Sequence, residues 1–278
     1  MDKKRTIAYA ALVFLAHSNL FISLCAASVA AFTQALFLKT ISPWVVWITF
    51  GTTFVLYNTQ HVLLRYLILP GAEARRQWTQ RKRAVLLLML IIALSELYPL
   101  YFCSWQFLAT YAISGIISLL YFLPFSNLRA IPFLKSFIIG LVWTLICVVA
   151  PLEPQFYHTQ QVYFCFSQLL FITALCVLFN IRDVEQDRHA GTHTVPVLYG
   201  VTIAKVFTII LMLVYLADSY LAQPAFLFTM SSFSTFALSV YFAINARPGR
   251  HSFFYLLGVD GIILVQSILG IVALKYET

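Results

Sequence analysis

The sequence predicts an all-helical, polytopic membrane protein, and three observations carry that prediction. The chain of 278 residues is 61% hydrophobic and only 10% charged, with a mean hydropathy of +0.86. Its apolar stretches are continuous and about 20 residues long, the length a helix needs to cross a bilayer. They do not alternate with period two, as the strands of a membrane barrel would. Hydrocarbon obliges every backbone N–H and C=O to find a partner inside the protein, so only helices or a closed barrel can span. Continuity selects helices.

Nine spans follow in order, at roughly 7–37, 43–64, 84–102, 104–123, 133–150, 161–181, 201–218, 224–245 and 253–274. The first is overlong, with room for an interfacial first turn. With the amino terminus inside, every Lys and Arg except Lys39 and Lys275 falls on the cytoplasmic side, as the positive-inside rule requires. The net charge of +8 therefore serves topology and does not imply a nucleic-acid partner. The basic start Met1-Asp-Lys-Lys-Arg5 precedes an apolar stretch too long for a cleaved signal, which reads as a retained anchor. Cys25, Cys103, Cys147, Cys165 and Cys176 lie in or at the ends of spans, without metal-ligand spacing, and read as packing residues. Residues 1–278 read as a single integral membrane domain. Its two long cytoplasmic loops, about 65–83 and 182–200, are placed to cap a cavity. The expected setting is the plasma membrane of a bacterium, and the sequence carries no signal for oligomeric state.

Polar chemistry concentrates in the second long loop. It runs Asn180-Ile-Arg-Asp183-Val-Glu-Gln-Asp187-Arg-His-Ala-Gly191-Thr-His-Thr194-Val-Pro196-Val-Leu-Tyr-Gly200. Asp183 and Asp187, four residues apart, project from one helical face and can reach one cation, unless Arg182 and Arg188 merely balance them as loop charges. An echo precedes them: Val55-Leu-Tyr-Asn58 ends the second span as Val177-Leu-Phe-Asn180 ends the sixth. That register sets His61 opposite Asp183 and Arg65 opposite Asp187.

The loop resembles the second aspartate-rich motif of the UbiA superfamily of intramembrane prenyltransferases, D-x-x-D-x-x-x-D-x-x-x-G-x-x-T-x-P-x-x-x-G. Asn180 stands for the first aspartate, and Asp183, Asp187, Gly191, Thr194, Pro196 and Gly200 fall in register. The resemblance implies a UbiA-type helical bundle around a cavity open to the cytoplasm and to lipid. It implies an isoprenyl diphosphate bound through Mg2+ by two aspartate-rich motifs, and transfer of the isoprenyl group to an aromatic, quinone-type or other apolar acceptor. On that basis Asp183 and Asp187 are the catalytic candidates, and with Asn180 the metal candidates. The first motif, N-D-x-x-D-x-x-x-D, departs from the pattern. Asn58 is present, but the aspartate positions hold Thr59, Val62 and Tyr66, and no Asp or Glu occurs from Lys3 to Ala72.

Other candidates gather around that gap. Arg65 has three readings: a span-end charge, an ion-pair partner closing on Asp183 or Asp187 in the cation's place, or a fork for diphosphate. Arg129 and Lys135 follow Tyr121-Phe-Leu-Pro124, which resembles a family region of Tyr and basic residues in contact with diphosphate. Asp260 is an acid set well inside a span, where a carboxyl faces a cavity or a partner such as His61, His17 or Asn58, or packs in neutral form. His17-Ser-Asn19 reads as a helix–helix hydrogen bond. Asn58, His61, Arg65, Tyr121, Arg129, Lys135 and Asp260 are thus the substrate-contact candidates. Two functions remain open: a prenyltransferase, or a non-catalytic UbiA-fold protein that binds an isoprenoid or other lipid, its metal site closed by Arg65.

Overall fold

The computed structural model describes residues 3–67, 82–122, 131–153 and 158–277, and among these the regular structure is helical. The long helices are α1 (Lys3–His17), α2 (Leu20–Phe37), α3 (Pro43–Leu67), α4 (Lys82–Leu100), α5 (Trp105–Phe122), α6 (Leu134–Leu152) and α7 (Thr159–Arg182). Two short helices follow, α8 (Val184–His189) and α9 (Val195–Tyr199), then α10 (Val201–Ala222), α11 (Phe226–Asn245) and α12 (Phe254–Glu277). The prediction of about nine spans is matched roughly. Among the described residues six helices, α2, α6, α7, α10, α11 and α12, are long and apolar enough to cross a bilayer, while α4 and α5 contribute shorter apolar stretches. The helix α3 has the length, but Thr, Asn and Gln dilute it.

The expected first span, 7–37, is two helices. The break falls at Ser18-Asn19, where Asn19 takes φ 64°. The break is tied to α3: Asn19 Nδ2 donates to Asn58 Oδ1 at 3.1 Å, and Asn58 Nδ2 donates to the Ser18 carbonyl at 3.1 Å and to Phe54 O at 2.9 Å. Helix α4 runs through Glu96 to Leu100. The Glu96 carboxyl lies over Gly51 of α3 and accepts a hydrogen bond from Thr52 Oγ1 at 3.3 Å. The second long loop, 182–200, is mostly the helices α8 and α9.

The centre of the bundle is α7. Its residues Phe171, Ala174, Val177, Leu178 and Ile181 are buried, together with Trp143 and Ile146 of α6, Met212 and Tyr215 of α10, and Val259 and Ile262 of α12. Gly140 lets α6 approach α7 closely, since a methyl there would strike the Thr173 hydroxyl. The outer faces of α4 and α5 present Leu87, Ile91, Leu94, Leu97, Ile113 and Ile116. A water-soluble protein would not tolerate such a band, and lipid requires it. Trp44 packs against Tyr98 and Phe102, with centroids 5.6 and 5.8 Å apart. Trp105 is exposed nearby in sequence, and together these form the aromatic belt of a membrane boundary.

Two π-helical turns re-aim the chain, at Leu145–Val149 in α6 and Phe254–Val259 in α12. Such turns disturb the regular i→i−4 ladder, and in hydrocarbon the freed carbonyls need other partners. Thr33 Oγ1 donates to Cys147 O at 2.9 Å, and Tyr111 Oη to Ile146 O at 3.3 Å. The second π turn ends at Asp260, whose carbonyl accepts the Cys25 thiol at 3.3 Å. The five cysteines are free thiols.

Helix α12 closes on α2 where Gly270 faces the Phe32 ring, which is wedged against Phe164 and Phe228 at 5.5 and 6.0 Å. A methyl at position 270 has no room and the ring has nowhere to turn. Gly270→Ala is expected to cost about 1–3 kcal/mol, read as a lower midpoint of thermal unfolding in detergent.

Candidate functional site

The site grows from the last turn of α7. Asn180 is buried there, and its amide donates to Ser136 Oγ of α6 at 2.8 Å. The helix bends at Asp183, yet Asp187 N–H still reaches Asp183 O at 2.8 Å, so the i, i+4 relation between the two aspartates survives the bend. The rest of the motif then acquires physical roles. Gly191 takes φ 66° and reverses the chain, letting Thr192 N–H bond Asp187 O at 2.8 Å. Pro196 sits in the first turn of α9, where its missing N–H costs nothing. Gly200, at φ 86° and ψ 166°, makes the sharp corner between α9 and α10, a conformation open essentially to glycine.

The α6 side of the site is held by strain. Phe133 takes φ 66° just before α6, a costly conformation for an aromatic residue. It is fixed by its N–H bonding His193 O at 3.3 Å and by its ring lying on Tyr199, 6.0 Å between centroids. This sets Lys135 in the first turn of α6 against the motif. Lys135 Nζ bonds both Asp187 oxygens, at 2.7 and 2.9 Å. Asp187 is buried and Lys135 is half-buried. Thr194, also buried, turns its hydroxyl toward this carboxylate as a hydrogen-bond donor.

Asp183 is matched by its neighbour. Arg182 Nε bonds Asp183 Oδ1 at 2.7 Å and Arg182 Nη2 bonds Oδ2 at 2.9 Å, a bidentate fork. The guanidinium lies over the Phe179 and Tyr255 rings, 4.9 and 5.7 Å from their centroids. It is also the charge that acts on the Asp260 carboxyl. Asp260 is buried at the end of the π turn of α12, so the charge of Arg182, paired with Asp183, is also felt by an acid of α12. Arg188 is spent on the exposed Glu185 at 3.1 Å.

The sequence candidates therefore divide. The structure brings together Asp183, Asp187, Asn180 and Lys135, with Asp260 coupled through Arg182. Asn58 is occupied by Asn19 and Ser18 and is no partner of Asp260. Tyr121 is buried. The side chains of His61 and Arg65, and all of Arg129, lie outside the described residues. The Arg65 closure of the aspartates thus falls outside what is described, and the cations seen on them are Lys135 and Arg182. Sequence reading treated Arg182 only as a balancing loop charge and missed Ser136, Phe133 and the Thr194 hydroxyl. The adjacency of Arg182 to Asp183 at a span end was the available signal.

A magnesium ion needs several free oxygen donors in near-octahedral array. All four oxygens of Asp183 and Asp187 already accept hydrogen bonds from a protein cation, and Asn180, whose Nδ2 donates to Ser136, has only its single Oδ1 to offer. Among the described residues no group of three His, Cys, Asp or Glu is arranged to hold a metal. This donor set does not fit the ion.

Two outcomes follow. The Lys135–Asp187 bridge is neither fully buried nor exposed, so Lys135→Met is expected to cost about 2 kcal/mol, between the surface and buried cases. Adding Asp187→Asn should restore part of it in a double-mutant cycle on unfolding. Burial pushes the Asp187 carboxyl above 3.8, against the pull of the Lys135 charge. A carboxyl raised in this way favours the fold while protonated, and that contribution fades as pH climbs through the raised value. A carboxylic-acid infrared band should therefore titrate above pH 3.8 and be absent in Asp187→Asn.

A sequence model of the UbiA prenyltransferase family matches residues 74–256. That stretch holds Lys135, α6, α7 and the whole Asn180–Gly200 motif, and it begins beyond the acid-free region of Asn58 and Arg65. No curated protein matches the chain in sequence. Two solved structures share the fold. An apo UbiA homologue from Aeropyrum pernix K1 is 14% identical with a TM-score of 0.59, covering 93% of this chain and 96% of that one. A structure described for digeranylgeranylglyceryl phosphate synthase is 15% identical with a TM-score of 0.55, covering 95% and 96%. With its apolar helices and this match over most of its length, the chain belongs to the UbiA prenyltransferase family and is an integral membrane protein.

Proposed function

We propose that this protein is a membrane prenyltransferase that moves an isoprenyl group from its diphosphate to a lipid-soluble, aromatic or quinone-type acceptor. The observation that carries this reading is the paired charge cluster of Lys135, Asp187, Arg182 and Asp183, set at one end of an otherwise apolar bundle within the family motif. In the reaction the allylic C–O bond breaks heterolytically and its electron pair leaves on the diphosphate. The electrostatic task is to stabilise that growing negative charge. Lys135 and Arg182 are the cations placed to do so. The acceptor then attacks the allylic cation and gives up a proton. Asn58, His61, Arg65, Tyr121, Arg129 and Asp260 are proposed to contact the substrates. The amino terminus and the site are proposed to face the cytoplasm of a bacterial cell.

A second reading has one observation in its favour. Both aspartates are closed by bidentate protein cations, as expected of a relative that binds an isoprenoid or other lipid without turning it over. Purified protein incubated with labelled isoprenyl diphosphates and extracted membrane lipids separates the two. Label moved into an acceptor lipid is the expected result, with turnover lowered about a hundredfold in Lys135→Ala. Tight binding without turnover would establish the second reading, and neither turnover nor affinity would sink both.

A further inference from the structure

We infer that this site takes its phosphate-bearing head group without a metal, because the ion's place has been taken by Lys135 and Arg182. This rests on the diphosphate reading above and concerns how that head group is held. The resemblance implies carboxylates on two motifs, bridged to diphosphate by Mg2+. Here the first motif has no acid at all from Lys3 to Ala72. The second keeps two aspartates, but each already has a full positive charge in bidentate contact, at 2.7 and 2.9 Å in both cases. Removing the acids of one motif achieves what the metal achieves elsewhere: it ends the surplus of negative charge that would repel a diphosphate.

The two pairs are also built to exchange. Lys135 is a flexible ammonium at the start of α6, and Arg182 presents a planar fork whose geometry suits phosphate oxygens as well as carboxylate oxygens. The carboxylates share these cations with an incoming phosphate, and no bond other than hydrogen bonds is made or broken. The buried Thr194 hydroxyl acts on the Asp187 carboxyl as a hydrogen-bond donor, and it can pass to an incoming phosphate oxygen in the same exchange. Asp183 and Asp187 then act as placeholders that keep the cations in position until the head group arrives. Their roles are the reverse of those of metal ligands. Losing a ligand abolishes binding, whereas losing a placeholder frees a cation for the anion.

Equilibrium binding of an isoprenyl thiolodiphosphate, which keeps the head group but resists ionisation, tests this on the full-length protein in nanodiscs. It is measured in excess EDTA and in excess Mg2+, with inorganic diphosphate and the free isoprenyl alcohol as separate ligands. The expected result is the same affinity in both media. Asp187→Asn should bind as tightly as wild type or more tightly, and Lys135→Ala about tenfold more weakly or worse, with Lys135→Arg recovering most of the loss. Inorganic diphosphate should follow the same pattern at lower affinity. Binding that needs Mg2+, or that Asp187→Asn abolishes in a protein still monodisperse, overturns the metal-free site and leaves the transferase reading standing. Binding of the alcohol as tight as that of the thiolodiphosphate, or no binding of either in both media, removes the diphosphate reading and this inference with it.

Discussion

In hydrocarbon a polar group has no water to turn to, and most of this architecture answers to that shortage. It makes the backbone helical, and it also decides where helices break and what the broken ends touch. The gap between α1 and α2 leaves the Ser18 carbonyl without its helical partner, and Asn58 supplies one. The π turn in α6 disturbs two carbonyls, and Thr33 and Tyr111 reach across from neighbouring helices to meet them. Each irregularity is thereby also a fastener between helices. Exceptions are few among the described residues, and the buried Gln168 and Thr53 side chains are two of them.

The same shortage explains what became of the internal echo. Asn58 and Asn180 end equivalent tetrapeptides on α3 and α7, and both are buried amides joining one helix to another. Asn58 holds the α1–α2 break, while Asn180 holds α6 through Ser136. An amide serves well there because it offers donors and acceptors without a charge to desolvate. Beyond these residues the two copies part. After Asn180 the chain presents acids, each matched at once by a cation. After Asn58 it presents none.

The outline of the fold was legible because hydropathy and span length are one-dimensional signals, and the motif was legible because its spacing is fixed. The details that shape the site were not. Asn19 and Phe133 take positive φ because of contacts with Asn58, His193 and Tyr199, and nothing in their neighbouring sequence demands it. A π turn leaves no mark in composition, so the aim of Asp260 was hidden as well. Lys135 and Asp187 lie fifty-two positions apart, and only the packing of α6 on α7 shows that they meet. Sequence alone offered Arg65 as one candidate for a cation in the metal's place, because the echo put it opposite Asp187, and its side chain lies outside the described residues. Among the described residues, Lys135 and Arg182 contact those carboxylates.

An ion pair at the mouth of a binding site changes the thermodynamics of what enters. Separating a half-buried pair such as Lys135–Asp187 costs about 2 kcal/mol, since each charge is left in a poorer solvent than water. A ligand that takes over one partner avoids most of that cost, provided it brings matching charge and geometry as the pair opens. A neutral isoprenoid brings neither, so it leaves the cluster closed. A head group with several anionic oxygens can hold Lys135 and Arg182 together while the carboxylates, released, remain at the aqueous end of α7. Selection between the two then arises from the pair itself, before any contact with the isoprenoid tail.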